Sequence, residues 1–571
     1  MHRHAYRRLF ALVLMSAMLA GCQVSTSPRS DHASLVAEPA RTAAVAMPDE
    51  YGARVSEAIL RQGGNAVDAA IAAAFALAVT YPEAGNIGGG GFMLIHIDGR
   101  NHFLDYREKA PGHASRDMYL DAQGEVIENA SLIGNRAAAV PGTVAGLYEA
   151  HTRFGTMPWD ALIDPAIELA ENGFVMPESL AESIADMREW LGDQTNFFDY
   201  FGEASAGERF RQPELAQTLR RIAKWGPDGF YQGVVAQQLV DALQPNGLIS
   251  LEDLAAYEAV WRQPLIAEWR GYTLVSAPPP SSGGFAVVQL LKMKDALAHE
   301  FEGKAHNSAP YVHLVAEMEK RVFADRAEYL GDPDFVDVPI DALIDDEYIQ
   351  ARAHDVNPRA ISRLAAVPPG FESADTTHFS IVDGDGNAVA NTYTINWHFG
   401  SGVVVEGGGF LLNNEMDDFS VKPGVPNVYG VVGNSANAIA PHKRSLSSMS
   451  PTMLLQNGEV DLVVGTPGGS TIFTSVFQVI VNVLDFNMTP QQAVDASRFH
   501  HQLLPPDLVT YSPSRPLRPD VQSSLSKSGY RTEPHSWEFG DLQLIVRDGE
   551  TLIPASDARQ RGVSRVIALP R

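Results

Sequence analysis

A mixed α/β (α+β) fold is predicted by three features of the sequence. Apolar residues recur at helical spacing from about residue 51 and again through most of 143–360. Alternating, β-branched segments and Gly-rich turns take over after residue 375, and two of those segments carry a strong hairpin signal. The composition is that of a globular chain: 571 residues, 45 % hydrophobic and 20 % charged. Lys plus Arg number 43 against 69 Asp plus Glu, a formal net charge of −26. Such a balance repels nucleic-acid phosphates and anionic lipid alike.

Residues 1–21 hold Arg3, Arg7 and Arg8 with no acid, then an apolar run over 9–15, then small residues. That order predicts a secretory signal, and the run is too short to span a bilayer. Cys22 follows in Leu19-Ala20-Gly21-Cys22, which resembles the lipobox of bacterial lipoproteins, where the Cys is acylated and becomes the new N-terminus. It is the single Cys of the chain, so intrachain disulfides and thiolate metal sites are excluded. Removing three cations and no acid takes the mature chain from −26 to −29. Residues 22–50 read as a tether.

Val55, Ile59 and Leu60 mark a first helix that Gly63-Gly64 stop, and an Ala-rich helix follows over 66–80, ending before Pro82. Gly88-Gly89-Gly90-Gly91 lacks the Gly-Lys-Ser/Thr of a phosphate loop and precedes a strand at 92–97, which points to backbone crowding. Leu215, Leu219, Ile222 and Ala223 line a helix that starts after Pro213 and stops at Gly226, and another helix runs over 310–330. Between them Pro278-Pro279-Pro280-Ser281-Ser282-Gly283-Gly284 reads as a rigid loop inside a domain.

Residues 378–382 alternate, Asp383-Gly384-Asp385-Gly386-Asn387 is a turn signal, and 388–396 is rich in Val, Thr and Tyr. With the turn centred on Asp385, the numbers of paired positions total about 770, which sets Thr376 opposite Thr394. Opposed Cβ atoms lie about 4.5–5.5 Å apart, within reach of a hydroxyl pair. By spacing alone this remains compatible with ordinary Thr decoration of a sheet.

Longer motifs narrow the reading. Gly63-Gly64-Asn65-Ala66-Val67-Asp68-Ala69-Ala70, Asp105-Tyr106-Arg107-Glu108, Val140-Pro141-Gly142-Thr143 and the Pro-Pro-Pro-Ser-Ser-Gly-Gly loop come first in the chain. Asp325-Arg326-Ala327-Glu328-Tyr329-Leu330-Gly331-Asp332-Pro333, Thr376-Thr377-His378-Phe379-Ser380, Leu412-Asn413-Asn414-Glu415-Met416-Asp417-Asp418-Phe419-Ser420, the stretch 441–451 and Pro467-Gly468-Gly469 continue them. Together they resemble the γ-glutamyltranspeptidases (glutathione hydrolases) over roughly 50–560.

The resemblance implies an N-terminal nucleophile hydrolase, an αββα four-layer sandwich made as one chain that cuts itself between Asp375 and Thr376. A large piece (51–375) and a small piece (376–571) would stay together as a heterodimer in one composite domain. Cleavage frees an α-amine on the residue whose hydroxyl must attack, and an α-amine, with an ordinary pKa of about 7.7–8.0, suits a general base near neutrality. The resemblance makes Thr376 the nucleophile, with Thr394 orienting its hydroxyl and Gly468 and Gly469 forming an oxyanion hole. It assigns Arg107, Ser447 and Ser448 to the donor's α-carboxylate, and Glu415, Asp418 and Asn396 to its α-ammonium. Tyr429, in the stretch 423–430, would close over the glutamyl group.

Glutathione and other γ-glutamyl compounds are the implied donors, amino acids or dipeptides the acceptors, and no metal or cofactor is called for. The N-terminal signal adds export, lipid anchoring and an outer-membrane, periplasm-facing destination. Two alternatives stand beside this reading: a cephalosporin or glutaryl acylase of the same fold, and a non-catalytic envelope lipoprotein. Trp397-His398 stands where relatives carry smaller residues, on the acceptor side. His299-Glu300 lacks a second His for a zinc helix, Ser524-Leu525-Ser526-Lys527 reads as an exposed helical turn, and adjacent His500-His501 cannot share a metal on one strand face.

Overall fold

The computed structural model describes residues 41–362, 376–422, 435–503 and 505–570. Cys22, Asp375 and Tyr429, with the signal segment and the 423–430 stretch, lie outside the described residues.

Thirteen strands among the described residues form two antiparallel sheets. Those of the first half are β1 (Thr42–Met47), β2 (Gly90–Ile97), β3 (Arg100–Asp105), β4 (Val260–Arg262), β5 (Leu265–Trp269) and β6 (Tyr272–Ser276). The others are β7 (Thr377–Val382), β8 (Ala388–Thr394), β9 (Thr452–Gln456), β10 (Glu459–Gly465), β11 (Gln543–Asp548), β12 (Thr551–Ser556) and β13 (Val563–Ala568). One sheet has the order β13-β1-β7-β8-β2-β3-β4 and the other β12-β11-β10-β9-β6-β5. Strands from before and after residue 376 therefore interleave in both sheets, and separating them means breaking ladders.

Strand alternation sorts the side chains into layers. Ala44, Ala46, Phe92 and Leu94 face inward against Val275, Met453, Val463 and Ile545 of the other sheet. Their neighbours Ala43, Val45, Met93 and Ile95 face outward, onto helices α1 (Glu50–Arg61) and α2 (Ala66–Thr80). Outside the second sheet, Leu274, Leu454 and Leu462 pack against α3 (Gly283–Ala296), α4 (Ala309–Tyr329) and α5 (Thr471–Leu484). The layers run helix, sheet, sheet, helix, which is the expected αββα sandwich.

Local chemistry explains the motifs that begin these elements. Asn65 caps α2 by accepting from the backbone N–H groups of Val67 and Asp68, and Asp68 returns the bond, a capping box. Small Ala side chains let α2 pack with every residue buried. One expectation changes: residues 42–47, read as part of the tether, form β1. Its pairing partners are β7 and the distant β13 at the C-terminal end, so nothing near it in sequence announces the strand. The Pro-rich loop ends at Ser282, since Gly283 and Gly284 already belong to α3.

Candidate active site

The hairpin has the predicted register. β7 and β8 pair from Ala388↔Val382 to Tyr393↔Thr377, so the next position sets Thr376 opposite Thr394. The Asp383 carboxylate accepts from the N–H groups of Asp385 at 2.9 Å and Asn387 at 3.0 Å, and from Ala66 at 3.0 Å, tying the turn to the start of α2. Thr376 Oγ1 lies 3.5 Å from Thr394 Oγ1 in a buried setting. Thr394 Oγ1 in turn accepts from Asn396 N–H at 2.7 Å. The Gly run is needed here because a Cβ at Gly89 would sit 2.0 Å from the Thr394 carbonyl oxygen, and one at Gly91 would sit 2.5 Å from that of Thr392. Backbone crowding, and not a phosphate cradle, is its use.

Asn396 Nδ2 donates to the Asn414 carbonyl at 3.0 Å, which connects the hairpin to the 3-10 turn Glu415–Asp418. Arg107 is 1 % exposed and meets that turn as a fork: Nη1 pairs with Glu415 at 2.5 Å and Nη2 with Asp418. Glu108 stands 3.7 Å from the same guanidinium. Asp417, the other acid of the turn, is buried and accepts from Ser131 Oγ at 2.5 Å, so the turn is no solvated acidic surface.

Burial opposes the charge on Arg107, but Glu415, Asp418 and Glu108 outweigh it and hold the guanidinium firmly protonated. Burial pushes Glu415 well above the usual carboxylate range, and pushes Glu108 up to about 7 against the pull of Arg107. Two buried carboxyls this close share a proton in place of both ionising. The folded state thus keeps a proton that the unfolded chain gives up, and this group costs stability as pH rises from about 4.5 to about 7. Glu108→Gln removes that titration. Its urea midpoint minus the wild type's should be larger at pH 8 than at pH 5, and an equal difference would exclude the shared proton.

Arg107 Nη2 also donates to the carbonyl of Leu446, the residue before Ser447 and Ser448, at 3.4 Å. The Pro-rich loop holds these serines: Ser282 N–H donates to the Ser447 carbonyl at 2.7 Å, and the Ser282 and Ser448 hydroxyls lie 3.3 Å apart. Arg326 Nε donates to Ser282 Oγ at 3.0 Å. Gly468 (φ +131°) and Gly469 (φ +56°) make the turn that leads from β10 into α5. A Cβ on Gly468 would lie 2.5 Å from Thr471 Oγ1. Thr471 and Ile472, the first helical residues, donate their N–H groups back to the Gly468 and Gly469 carbonyls at 3.0 and 3.1 Å, which fixes the turn just ahead of the helix's positive end.

Ten expected site residues are among those described. Arg107, Glu415 and Asp418 touch directly, Asn396 joins them to Thr394 and Thr376, and Ser447 and Ser448 follow the Leu446 carbonyl that Arg107 reaches. Reading the residues alone missed Glu108, Ser282 and Arg326 as members of the site. All three lie inside motifs quoted for the resemblance, so only their burial and partners were hidden. His500 is buried against Thr474 Oγ1 at 3.0 Å, and burial lowers its ring to about 3. Among the described residues no cluster of three His, Cys, Asp or Glu is placed to hold a metal, and no helix is long and apolar enough to cross a membrane.

Two sheets sandwiched between helices, with a Thr at the head of an inner strand, define the N-terminal nucleophile hydrolases. A family profile described as gamma-glutamyltranspeptidase matches residues 52–567. The glutathione hydrolase proenzyme of Pseudomonas aeruginosa is 58 % identical over 525 residues, covering 92 % of this chain and 94 % of that one. The solved gamma-glutamyltranspeptidase from Pseudomonas nitroreducens complexed with L-DON is 55 % identical with a TM-score of 0.55, covering 56 % of this chain and 96 % of that one. The cephalosporin acylase from Bacillus halodurans superposes more broadly, with a TM-score of 0.79, 92 % of this chain and 96 % of that one covered, but only 28 % identity. The chain belongs to the gamma-glutamyltranspeptidase family.

Proposed function

We propose that Thr376, freed by cleavage after Asp375, carries the chemistry, in a large piece up to residue 375 paired with a small one of 196 residues from Thr376 to Arg571. The enzyme is a γ-glutamyltransferase and glutathione hydrolase. Thr376 Oγ attacks the γ-carbonyl carbon of the donor while its own α-amine takes the hydroxyl proton. The C–N bond breaks, the departing amine takes that proton, and a γ-glutamyl ester remains. Water or an amino-acid amine then attacks the ester carbon, the C–O bond breaks, and a proton returns to Oγ. Thr394 orients the hydroxyl throughout. N–H groups of Gly468 and Gly469 receive the oxyanion; Gly468→Ala keeps its N–H, but at φ +131° its Cβ would stand 2.5 Å from Thr471 Oγ1, so the turn must shift and carry the donor off its aim, and kcat should fall by up to about 10²–10³-fold, the cost of losing one such donor elsewhere. A kcat within threefold of wild type would remove this turn from the mechanism.

The observation that carries the substrate class is the fork of Arg107 on Glu415 and Asp418. A γ-glutamyl donor brings both an α-carboxylate and an α-ammonium. Its carboxylate can take the place of the acids on Arg107, with the hydroxyls of Ser447 and Ser448 added, while its ammonium takes the place of Arg107 on the acids. Asn396 assists, and Tyr429 closes over the bound group. The exchange conserves charge, so little desolvation is left uncompensated. A glutaryl group has the carboxylate without the ammonium, and would add an unpaired negative charge to a buried site already rich in acids. Release of p-nitroaniline from γ-glutamyl-p-nitroanilide should therefore exceed release from glutaryl-p-nitroanilide by at least 100-fold. The opposite preference would make this an acylase, and no release from either would favour a non-catalytic lipoprotein.

Export with a lipid anchor on Cys22 completes the proposal, facing the periplasm from the outer membrane. Cys22→Ala should move the enzyme from the membrane to the soluble fraction, with activity kept. Unchanged fractionation would refute the anchor.

A further inference from the structure

Ser470 follows the glycine pair and is the N-cap of α5, yet its hydroxyl makes no capping bond to the helix. A Ser in that place ordinarily accepts from one of the first helical N–H groups. Here the buried hydroxyl is turned away and donates to Gln502 Oε1 at 2.7 Å. The same oxygen lies 2.8 Å from His500 Nε2, and His500 Nδ1 lies 3.0 Å from Thr474 Oγ1, one turn into α5. Burial holds the His500 ring neutral. A neutral ring donates from one nitrogen and accepts at the other, so Nε2–H goes to Gln502 and the Thr474 hydroxyl to Nδ1. The backbone that presents Gln502 is itself tied down: Gln478 exchanges two bonds with Phe499, 2.8 Å to its carbonyl and 3.2 Å from its N–H, and buried Glu319 of α4 accepts from His501 N–H at 2.9 Å. The adjacent histidines thus serve a strap across the start of α5 and not a metal.

We propose that Gln502 is a positioning residue for the oxyanion turn: by holding the Ser470 hydroxyl against the fixed segment 499–502, it keeps the Gly468 and Gly469 N–H groups aimed at the γ-carbonyl oxygen as that oxygen gains charge. The inference rests on that turn being the oxyanion hole. Two glycines in succession leave their peptide planes free to rotate. The Gly468 carbonyl is held from one side, where Thr471 Oγ1 donates to it at 2.7 Å in addition to the Thr471 N–H. A trans peptide sets its N–H opposite its C=O, so that bond also aims the Gly469 N–H. Ser470, the next residue, is held from the other side by Gln502. The donor's carboxylate and ammonium are gripped elsewhere, at Arg107, Glu415 and Asp418, so loosening the turn should weaken the transition state and leave ground-state binding alone.

The test compares two inhibitors of γ-glutamyl-p-nitroanilide turnover by the processed enzyme. One is 2-amino-4-boronobutanoic acid, in which Thr376 Oγ bonds to boron, its proton passes to the α-amine, and a tetrahedral anion results. The other is L-glutamate, which fills the donor site without a tetrahedral oxyanion. Ser470→Ala, a change of one oxygen, should lower kcat and raise the boronate Ki by about tenfold each, the upper end of what one neutral hydrogen bond is worth. The glutamate Ki should stay within twofold. Gln502→Met should do the same, and the double variant should lose no more than either single one, because both cut one link. Inhibition constants do not depend on how much enzyme has matured, and Ser470→Ala decides alone if Gln502→Met does not fold. The role of Gln502 is overturned if Ser470→Ala leaves the boronate Ki within twofold, if both inhibitors weaken equally, or if the double variant shows the product of the single effects. Gly468→Ala with an unchanged boronate Ki would instead overturn the oxyanion reading, and this inference with it.

Discussion

Thr376→Ala should leave one chain of full mass, 61.8 kDa before any signal is removed, where the wild type gives two bands on a denaturing gel. The same change should lower turnover of γ-glutamyl-p-nitroanilide by about a millionfold, the order seen when a covalent nucleophile is removed. One oxygen is asked to do both jobs. In the uncut chain the nitrogen of Thr376 is an amide and cannot act as base, and the hydroxyl has Thr394 Oγ1 at a long 3.5 Å. Self-cleavage should therefore be slow beside later turnover, in which the freed amine is available. Thr376→Ser retains the hydroxyl and should still split and turn over, at a reduced rate. A Thr376→Ala protein that splits normally would refute both self-processing and the mechanism.

Arg107→Met should be the most damaging change in the donor site. Removing one partner from a buried ion pair costs about 3–5 kcal/mol because the other charge stays buried without compensation. Here the partners left behind are Glu415, Asp418 and Glu108. Their cost is electrostatic and disappears when they take up protons, so the loss of stability against wild type should shrink from pH 8 to pH 5. Equal loss at both values would assign it to packing instead. Arg107→Lys keeps a charge but not the fork. Losing one charge-assisted hydrogen bond of about 1.5–3 kcal/mol should raise the donor KM by about 10–150-fold, with a much smaller change in kcat. A KM within twofold of wild type would move carboxylate recognition away from this residue.

The hairpin was legible to the residue. A two-residue period and a turn rich in Asp, Gly and Asn specify register locally, and the observed pairing Tyr393↔Thr377 follows that arithmetic. The Ala-rich helix over 66–80 was equally readable, but its Asn65–Asp68 capping box was seen only in the structure. β1 was not, because 42–47 is a run of small residues whose partner β13 lies more than 500 positions away. The donor cluster was named through long motifs, yet no spacing could show that Arg107 closes on Glu415 and Asp418 or that Glu108 is sealed beside them. Nor did any motif mark Gln502 as the partner of Ser470 beside the glycine turn.

By itself, then, the sequence determined the family, through long motifs, and it determined the hairpin, several helices and the facing of Thr376 and Thr394. The last three depend on short-range periodicity, capping and turn chemistry, all acting within a few residues. The tertiary structure alone decided which acids share a proton, which cation they surround and which side chain holds Ser470 at the glycine turn. These depend on burial, which turns ordinary surface charges into strongly interacting ones, and burial is settled only when strands from both ends of the chain meet in the same sheet.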